Sequence, residues 1–280
     1  MDGLPERFPV WQTAMDSFDY CWQRRRLVER YGLIPLVLGV AITWILLFAG
    51  VSQSEPSAAL FAVLGIQVII LLPPSVAWYR TVVYGESAAW RPMFTFTHLE
   101  FRLLIWQIIA VVLLVVALGL AVLVVAGIGA GLRSGLGDAA AIAVVVPLGI
   151  AALVIFIWAA TRVSMVYALA ALDTPVSLRI AWDLTRTVAW RMTGSFIVVT
   201  LGVVLFGAVA ELIAWIAGTS IAAARGSDIA DVMPFVRAAA QAPTSLLWLF
   251  ATATLFGLVY KTRAQTRSAP MDSPAPNQPL

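Results

Sequence analysis

The residue types that most often carry catalysis or bind metals are scarce in this chain. It has one histidine, His98, and one cysteine, Cys21, which leave no zinc ligand set and no conventional catalytic triad. Hydrolysis needs a nucleophile and a base, or metal ligands, within hydrogen-bond reach, and the long apolar stretches contain no pair of carboxylates. We therefore expect a protein that is not an enzyme and that uses no metal or cofactor.

Arginine and tryptophan residues, by contrast, recur between residues 162 and 191, in RVSMVYALAALDTPVSLRIAWDLTRTVAWR. Thr174 and Pro175 have the order of an N-cap followed by proline at the first helical position, which predicts an amphipathic helix over residues 175–192. Such a helix can lie in the headgroup layer, with its apolar face down and its guanidinium groups towards phosphates. The alternative is a linker helix packed on the rest of the protein.

Two further interfacial helices are predicted, at residues 8–31 and 92–102. In the first, apolar residues recur at helical spacing and arginines crowd the end nearest the first apolar run. It is either a lipid-sensing arm or an anchor that orients the first span. The candidate contacts to lipid headgroups or to a partner are Arg24, Arg25, Arg26, Arg162, Arg179, Trp182, Arg186, Trp190 and Arg191.

These segments flank apolar runs long enough to cross a membrane. Hydrophobic residues make up 61% of the chain and charged residues 12%, about half the charged share of a soluble protein. We predict an all-α, polytopic fold forming one domain over residues 1–263. The predicted spans are 32–51, 58–78, 103–132, 139–161, 194–217 and 244–260, and a proline-rich tail over 264–280 is expected to be disordered. The residues before the first span are mostly polar or amphipathic, so we expect that span to be an uncleaved anchor.

Two polar residues, Gln67 and Glu211, fall inside predicted spans. Such residues at membrane depth often mark ion or substrate paths. Pro73-Pro74 and Pro147 predict broken helices, which transporters use to build binding sites. Glu211 lies about seventeen residues into its span, which at ~1.5 Å per residue places it near the far interface. Gln67 and Glu211 are therefore candidate intramembrane polar sites.

Positive charge is distributed unevenly between the two sides of the predicted bundle. If the N-terminus is cytoplasmic, 15 of the 18 lysines and arginines are inside, leaving Arg133, Arg225 and Arg237 outside. This asymmetry predicts that both termini are cytoplasmic. The arginines stand at span ends and form no basic stripe with interleaved aromatics, so nucleic acid is not an expected partner.

The segment from Arg162 to Arg191 also resembles a known family. Arg162, Asp173, Ala181-Trp182, Thr185-Arg186 and Trp190-Arg191 are similar to the loop between the fourth and fifth spans of a bacterial six-span membrane protein family of unassigned function. Related domains occur fused to glycerophosphodiester phosphodiesterases. The resemblance implies a six-span fold in the bacterial inner membrane, and it implies no activity.

An internal repeat is indicated by similar residues at the ends of the even-numbered spans. Val83-Tyr84, Val166-Tyr167 and Val259-Tyr260 close the second, fourth and sixth spans. These pairs suggest three parallel units, each an interfacial helix followed by a two-span hairpin, although tyrosine is common at span ends in any case.

Two hypotheses for function follow from these patterns. The first is a non-enzymatic membrane factor that binds membrane lipids, or another membrane protein, through its cytoplasmic interfacial helices. The alternative is a secondary transporter or channel subunit that uses Gln67 and Glu211. The scarcity of charge within the spans favours the first hypothesis, because ion coupling usually depends on carboxylates at membrane depth.

Overall fold

The structure, a computed structural model, describes residues 9–49, 58–85 and 96–268. Within these ranges there are no strands. The eight helices are α1 (Val10–Gln23), α2 (Arg25–Phe48), α3 (Ala58–Tyr84), α4 (His98–Leu136), α5 (Asp138–Ala171), α6 (Leu178–Thr185), α7 (Ala189–Arg225) and α8 (Ile229–Ser268). All but α1 and α6 are long and apolar enough to cross a membrane. The predicted all-α fold with six membrane-spanning helices is confirmed, and the chain is a multi-pass integral membrane protein.

The six spanning helices form three hairpins, α2/α3, α4/α5 and α7/α8, whose contacts are cyclic. The second helices of the hairpins, α3, α5 and α8, all contact one another at the centre. Each first helix packs against its own partner and against the central helix of the preceding hairpin: α2 contacts α8, α4 contacts α3, and α7 contacts α5. Three equivalent two-span units are expected to produce this pattern.

The densely packed core lies at the end of the bundle that carries α1 and α6, which we call the core end. Trp78 on α3 is fully buried there, and its indole N–H donates to the Phe250 carbonyl at 3.1 Å and to Thr254 Oγ1 at 2.8 Å. The Trp78 ring meets the rings of Tyr20, Tyr31 and Phe250 edge-on. One tryptophan thus joins α1, α2, α3 and α8.

Away from the core end, the α4/α5 hairpin exposes apolar side chains on nearly all sides. Only 6% of the most apolar window of either helix is buried. The two helices still pack closely on each other, since a Cβ added at Gly129 would come within 2.9 Å of Val145 Cγ2. A helix that is hydrophobic all round and unburied by protein matches a lipid environment.

The helix boundaries differ from the sequence-based ones at several prolines and caps. Pro73 and Pro74 do not end the second span, because α3 continues as helix to Tyr84, and Pro147 lies inside a continuous α5. Neighbouring helices and local adjustment allow such prolines within membrane helices. Residues 264–268 of the predicted disordered tail belong to α8, and the remainder of that tail lies outside the described residues.

Two of the predicted interfacial helices, over 8–31 (described from residue 9) and over 175–192, are divided in the structure. The helix expected over 8–31 breaks at Arg24, where α1 ends and α2 begins. The helix expected over 175–192 is α6, followed by a turn and the start of α7. Thr174 does not cap it, because its hydroxyl donates back to the Leu169 carbonyl at 3.0 Å. Ser177 is the N-cap, and its hydroxyl accepts from the Ile180 N–H at 3.0 Å.

Of the third predicted interfacial helix, over 92–102, residues 92–95 lie outside the described part of the chain. The described part begins α4 at His98, where Thr97 and Glu100 form a capping box. Reciprocal bonding of this kind satisfies two backbone N–H groups that would otherwise lack partners at a helix start.

Candidate functional site

The first short helix, α1, is buried along a face of small residues. Thr13, Ala14, Ser17 and Cys21 recur three to four residues apart, and each is at least 93% buried. The helix crosses α7 and α8 at two close approaches: a Cβ added at Gly202 would lie 2.8 Å from the Phe18 ring, and the Cys21 thiol lies 3.5 Å from Thr254 Oγ1. Helix α1 is therefore part of the bundle and is not a free arm.

Burial also changes the chemistry of Cys21. Loss of water around the thiol raises its pKa to about 11, and the hydrogen bond with Thr254 opposes this only in part. The thiolate is the reactive form, so at neutral pH Cys21 is an inert packing residue.

A second face of α1 exposes three large apolar side chains. Trp11, Met15 and Trp22 fall on one stripe and are 66%, 45% and 70% exposed. Beyond this stripe the helix is polar, and there Gln23 donates to Asp19 at 2.5 Å. Helix α1 therefore has three faces: one buried in the bundle, one apolar and exposed, and one polar. The exposed apolar stripe is what a helix at a lipid–water boundary presents to the acyl chains.

Three of the candidate arginines follow directly where α1 gives way to α2. The guanidinium of Arg24 lies 4.6 Å from the centre of the Tyr20 ring, and that of Arg25 lies 5.6 Å from the Trp22 ring. Arg25 and Arg26 are exposed. The apolar stripe of α1 is thus flanked by guanidinium groups at its C-terminal end.

A second group of candidate residues meets where α5, α6 and α7 join. Arg162 is only 4% exposed; its Nε donates to Thr185 Oγ1 at 3.0 Å and its Nη2 to the Trp182 carbonyl at 2.6 Å. The guanidinium also stacks 3.5 Å from the Trp182 ring centre and 4.8 Å from that of Trp158. Two ring faces, a hydroxyl and a carbonyl replace the water that burial removes.

This arrangement makes Arg162 a residue that holds α6 against α5. No ion pair among the described residues includes it, and its charge is stabilised by hydrogen bonds, by ring faces and by the electrostatic attraction of Asp183. The adjoining Thr161 hydroxyl lies 2.8 Å from that of Thr193 on α7. The predicted contact between Arg162 and a lipid headgroup stays a prediction, with the guanidinium largely covered by protein.

The remaining candidates of this group are on the surface. Trp190 is 62% exposed, and its ring lies 5.7 Å from that of Trp158. Arg179, Arg186 and Arg191 are exposed. Helix α1 contacts α7 next to this group, because Ser195 Oγ on α7 donates to the Val10 carbonyl at the start of α1 at 2.9 Å. We call the exposed residues of these two groups the collar surface: Trp11, Met15, Trp22, Arg25, Arg26, Arg179, Trp182, Arg186, Trp190 and Arg191.

The single histidine stands at the same end but in a structural cluster. His98 Nε2 lies 3.3 Å from the Asp173 carboxylate, to which Arg102 also donates at 3.2 Å. Asp173 has a positive φ of 58° and forms the turn after α5. No group of three or more histidine, cysteine or acidic residues among those described is placed to hold a metal ion.

The two intramembrane candidates, Gln67 and Glu211, lie in adjoining cavities. Gln67 lines a cleft between α2, α3 and α8, where its Nε2 donates to Thr43 Oγ1 at 3.3 Å. Glu211 lines a neighbouring cavity between α7 and α8 and is ion-paired to Arg237. Gln241 borders both cavities. It was missed from the sequence because it fell in the predicted loop between the fifth and sixth spans, and the structure places it within α8.

Comparison with known proteins adds no relative to this picture. The chain matches no family model, no curated protein and no solved structure. Its function must therefore be argued from its own geometry.

Proposed function

We propose that this integral membrane protein is a non-enzymatic factor that binds anionic lipid headgroups at the cytoplasmic face through its collar surface. On this proposal the core end faces the cytoplasm, and both termini lie there. The bacterial inner membrane is the proposed location, which rests on the resemblance of the segment from Arg162 to Arg191 to the six-span family described above.

One observation carries the proposal: exposed tryptophans and exposed arginines lie side by side on helices whose other faces are firmly held. Trp11 and Trp22 are each at least 66% exposed on α1, and Arg25 and Arg26 follow at once along the chain. Indole rings favour the headgroup level, and each arginine near an anionic surface contributes about 1 kcal/mol of attraction. The collar surface presents both on one end of the bundle.

Docking of α1 is what makes the surface suitable for recognition. A free amphipathic helix must become ordered when it binds, which costs conformational entropy. In α1 the small-residue face is already packed, with Ser17 fully buried and Phe18 against Gly202. The exposed stripe is thus presented in a fixed position relative to the arginines, which reduces the cost of binding.

The competing hypothesis, ion-coupled transport, is less well supported by the geometry. Glu211 is the only carboxylate within the predicted spans, and it is paired with Arg237. A carboxylate held in an ion pair must break that contact before it can bind a transported cation, which makes Glu211 a poor coupling site.

The test is lipid selectivity of the purified protein in nanodiscs. We expect spin-labelled phosphatidylglycerol to associate more strongly than spin-labelled phosphatidylcholine, with a preference that declines as salt is added. A variant with Arg25→Gln, Arg26→Gln, Arg179→Gln and Arg186→Gln should lose most of this preference, because about 1 kcal/mol per arginine is removed from the collar surface.

The matched control changes arginines at the opposite end of the bundle. Arg133→Gln with Arg225→Gln removes two exposed cations outside the collar surface and should leave the preference unchanged. Loss in proportion to the number of arginines removed, half as large for two as for four, would show that overall charge is responsible and would refute the proposed site. Indifference of the unaltered protein to lipid charge would refute the proposed function.

A further inference from the structure

A cleft bounded by α2, α3 and α8 has a lining that suits a ligand unrelated to the collar surface. We propose that it binds a small, uncharged group bearing several hydroxyls, either as a free polyol or as the headgroup of a neutral glycolipid. The cleft is separate from the collar surface, because its walls begin at Pro35 and extend away from the core end.

The polar groups of the cleft come from three different helices. Thr43 on α2, Gln67 on α3, and Gln241 with Ser245 on α8 all line it. Gln67 uses its Nε2 to reach Thr43, and Ser245 Oγ donates to the Gln241 backbone carbonyl at 3.1 Å. The Gln241 side-chain amide and the Gln67 Oε1 have no hydrogen-bond partner among the described residues.

Unpartnered amides are costly at this depth. Gly39, which also lines the cleft, lies fourteen residues beyond Arg25, about 21 Å along α2 at ~1.5 Å per residue. Gln67 is half-buried and Gln241 is exposed. Where such an amide meets hydrocarbon without a hydrogen bond it is disfavoured by several kcal/mol, so a ligand that hydrogen-bonds to it there is favoured.

Proline residues add further acceptors around the same cleft. Pro35 lines it directly, and Pro74 and Pro243 lie inside α3 and α8. Proline has no N–H, so Pro74 deprives the carbonyl of Ile70, another lining residue, of its usual partner four residues on. In membrane proteins, carbonyls left without a partner by proline are accepted where they face a cavity.

The lining also limits the charge and size of the ligand. Its side chains include amides and hydroxyls but no ionisable group, so a carboxylate, phosphate or ammonium would lack a countercharge. Glu211, which lines the adjoining cavity, is ion-paired with Arg237. The cleft volume of about 270 Å³ lies just under the roughly 300–1,000 Å³ of typical small-molecule sites.

Hydroxyl groups fit this environment best because amides and hydroxyls each donate and accept. A polyol can therefore satisfy the Gln67 oxygen and both ends of the Gln241 amide at once. The apolar remainder of the lining, which includes Leu36, Ile70 and Leu246, suits either the ring carbons of a sugar or the first carbons of an acyl chain.

The experiment measures binding of two probes to the full chain in detergent by native mass spectrometry. One arm titrates monoglucosyl diacylglycerol and the other free glucose, with phosphatidylglycerol as the charged comparison. Gly39→Leu should abolish binding, since Gly39 lines the cleft and a Cβ there meets nothing within 4 Å, so that the added side chain can extend into the space the ligand would occupy. Gln241→Met should weaken binding about five- to 150-fold, the effect of two neutral hydrogen bonds.

Matched controls carry the same changes elsewhere. Gly119→Leu on α4 also meets open space, and Gln107→Met changes another glutamine at membrane depth. Both should bind like the unaltered protein. Binding of the glycolipid alone identifies a lipid ligand, and binding of glucose identifies a soluble one. Binding of neither probe, equal binding by the Gly39→Leu variant, or equally variant-sensitive binding of phosphatidylglycerol would overturn the proposal.

Discussion

The close contact between α3 and α8 gives the most direct test of the packing at the centre of the bundle. A Cβ added at Gly257 on α8 would lie 2.7 Å from Val82 Cγ1 and 3.1 Å from Val82 Cβ. Valine is β-branched and has one strongly preferred side-chain rotamer in a helix, so Val82 cannot move aside. Gly257→Ala must therefore separate the two helices.

The expected cost can be isolated with a second glycine. Overpacking a well-packed core costs about 1–3 kcal/mol, whereas replacing glycine by alanine in any helix favours folding by up to about 1 kcal/mol. Gly119→Ala has the second effect without the first, because nothing lies within 4 Å of a Cβ there. The difference in unfolding free energy between the two variants is then the packing cost alone.

Thermal unfolding in a mild detergent measures this difference. At about 2–4 °C per kcal/mol for a chain of this size, Gly257→Ala should unfold about 2–12 °C below Gly119→Ala. Adding Val82→Ala to Gly257→Ala should give a protein more stable than the sum of the single effects predicts. Equal melting temperatures for the two alanine variants would show that α3 and α8 are not in contact at this point.

Two other predictions concern the buried groups on which α1 rests. Because burial raises the pKa of the Cys21 thiol to about 11, a maleimide should fail to label the native protein at pH 7.5 and should label it after denaturation. The neutral thiol favours folding below pH 9, and this contribution to the unfolding free energy is lost as pH rises towards 11. Rapid native labelling would mean that α1 is not docked. Trp78→Phe removes the donor to Phe250 and Thr254 and should lower the unfolding free energy by about 1–3 kcal/mol. The control Trp215→Phe, at a site 53% exposed, should leave thermal unfolding nearly unchanged. Similar effects of the two changes would contradict the assigned role of Trp78.

The six-span fold was predictable because hydropathy alone identifies helices that cross a membrane. A run such as Leu103 to Leu132 contains no charge, and no soluble fold exposes that much apolar surface. Helix ends were less predictable. Thr174 and Ser177 are both plausible caps, and only the conformation of the turn after α5 decides that the Thr174 hydroxyl bonds back to the Leu169 carbonyl five residues earlier.

The face by which α1 docks could not be predicted from the sequence for a related reason. Helical spacing placed Trp11, Met15 and Trp22 on the apolar side, but the buried face is centred on Ala14 and Ser17. In membrane bundles small residues allow close approach between helices, whereas large apolar residues are equally at home in lipid. Hydrophobicity therefore shows that α1 is amphipathic without showing which face meets protein.

The hydrogen bond between Cys21 and Thr254 joins residues separated by 233 positions, and this has a consequence for how the protein is made. At about 5–20 residues per second, a ribosome needs about 12–47 seconds after α1 appears to supply the helix against which it docks. During that interval the hydroxyls of Thr13 and Ser17 can hydrogen-bond to water only if α1 stays at the bilayer surface. The tryptophans of the collar surface would then hold α1 at the bilayer surface until α7 and α8, against which it packs, have been synthesised.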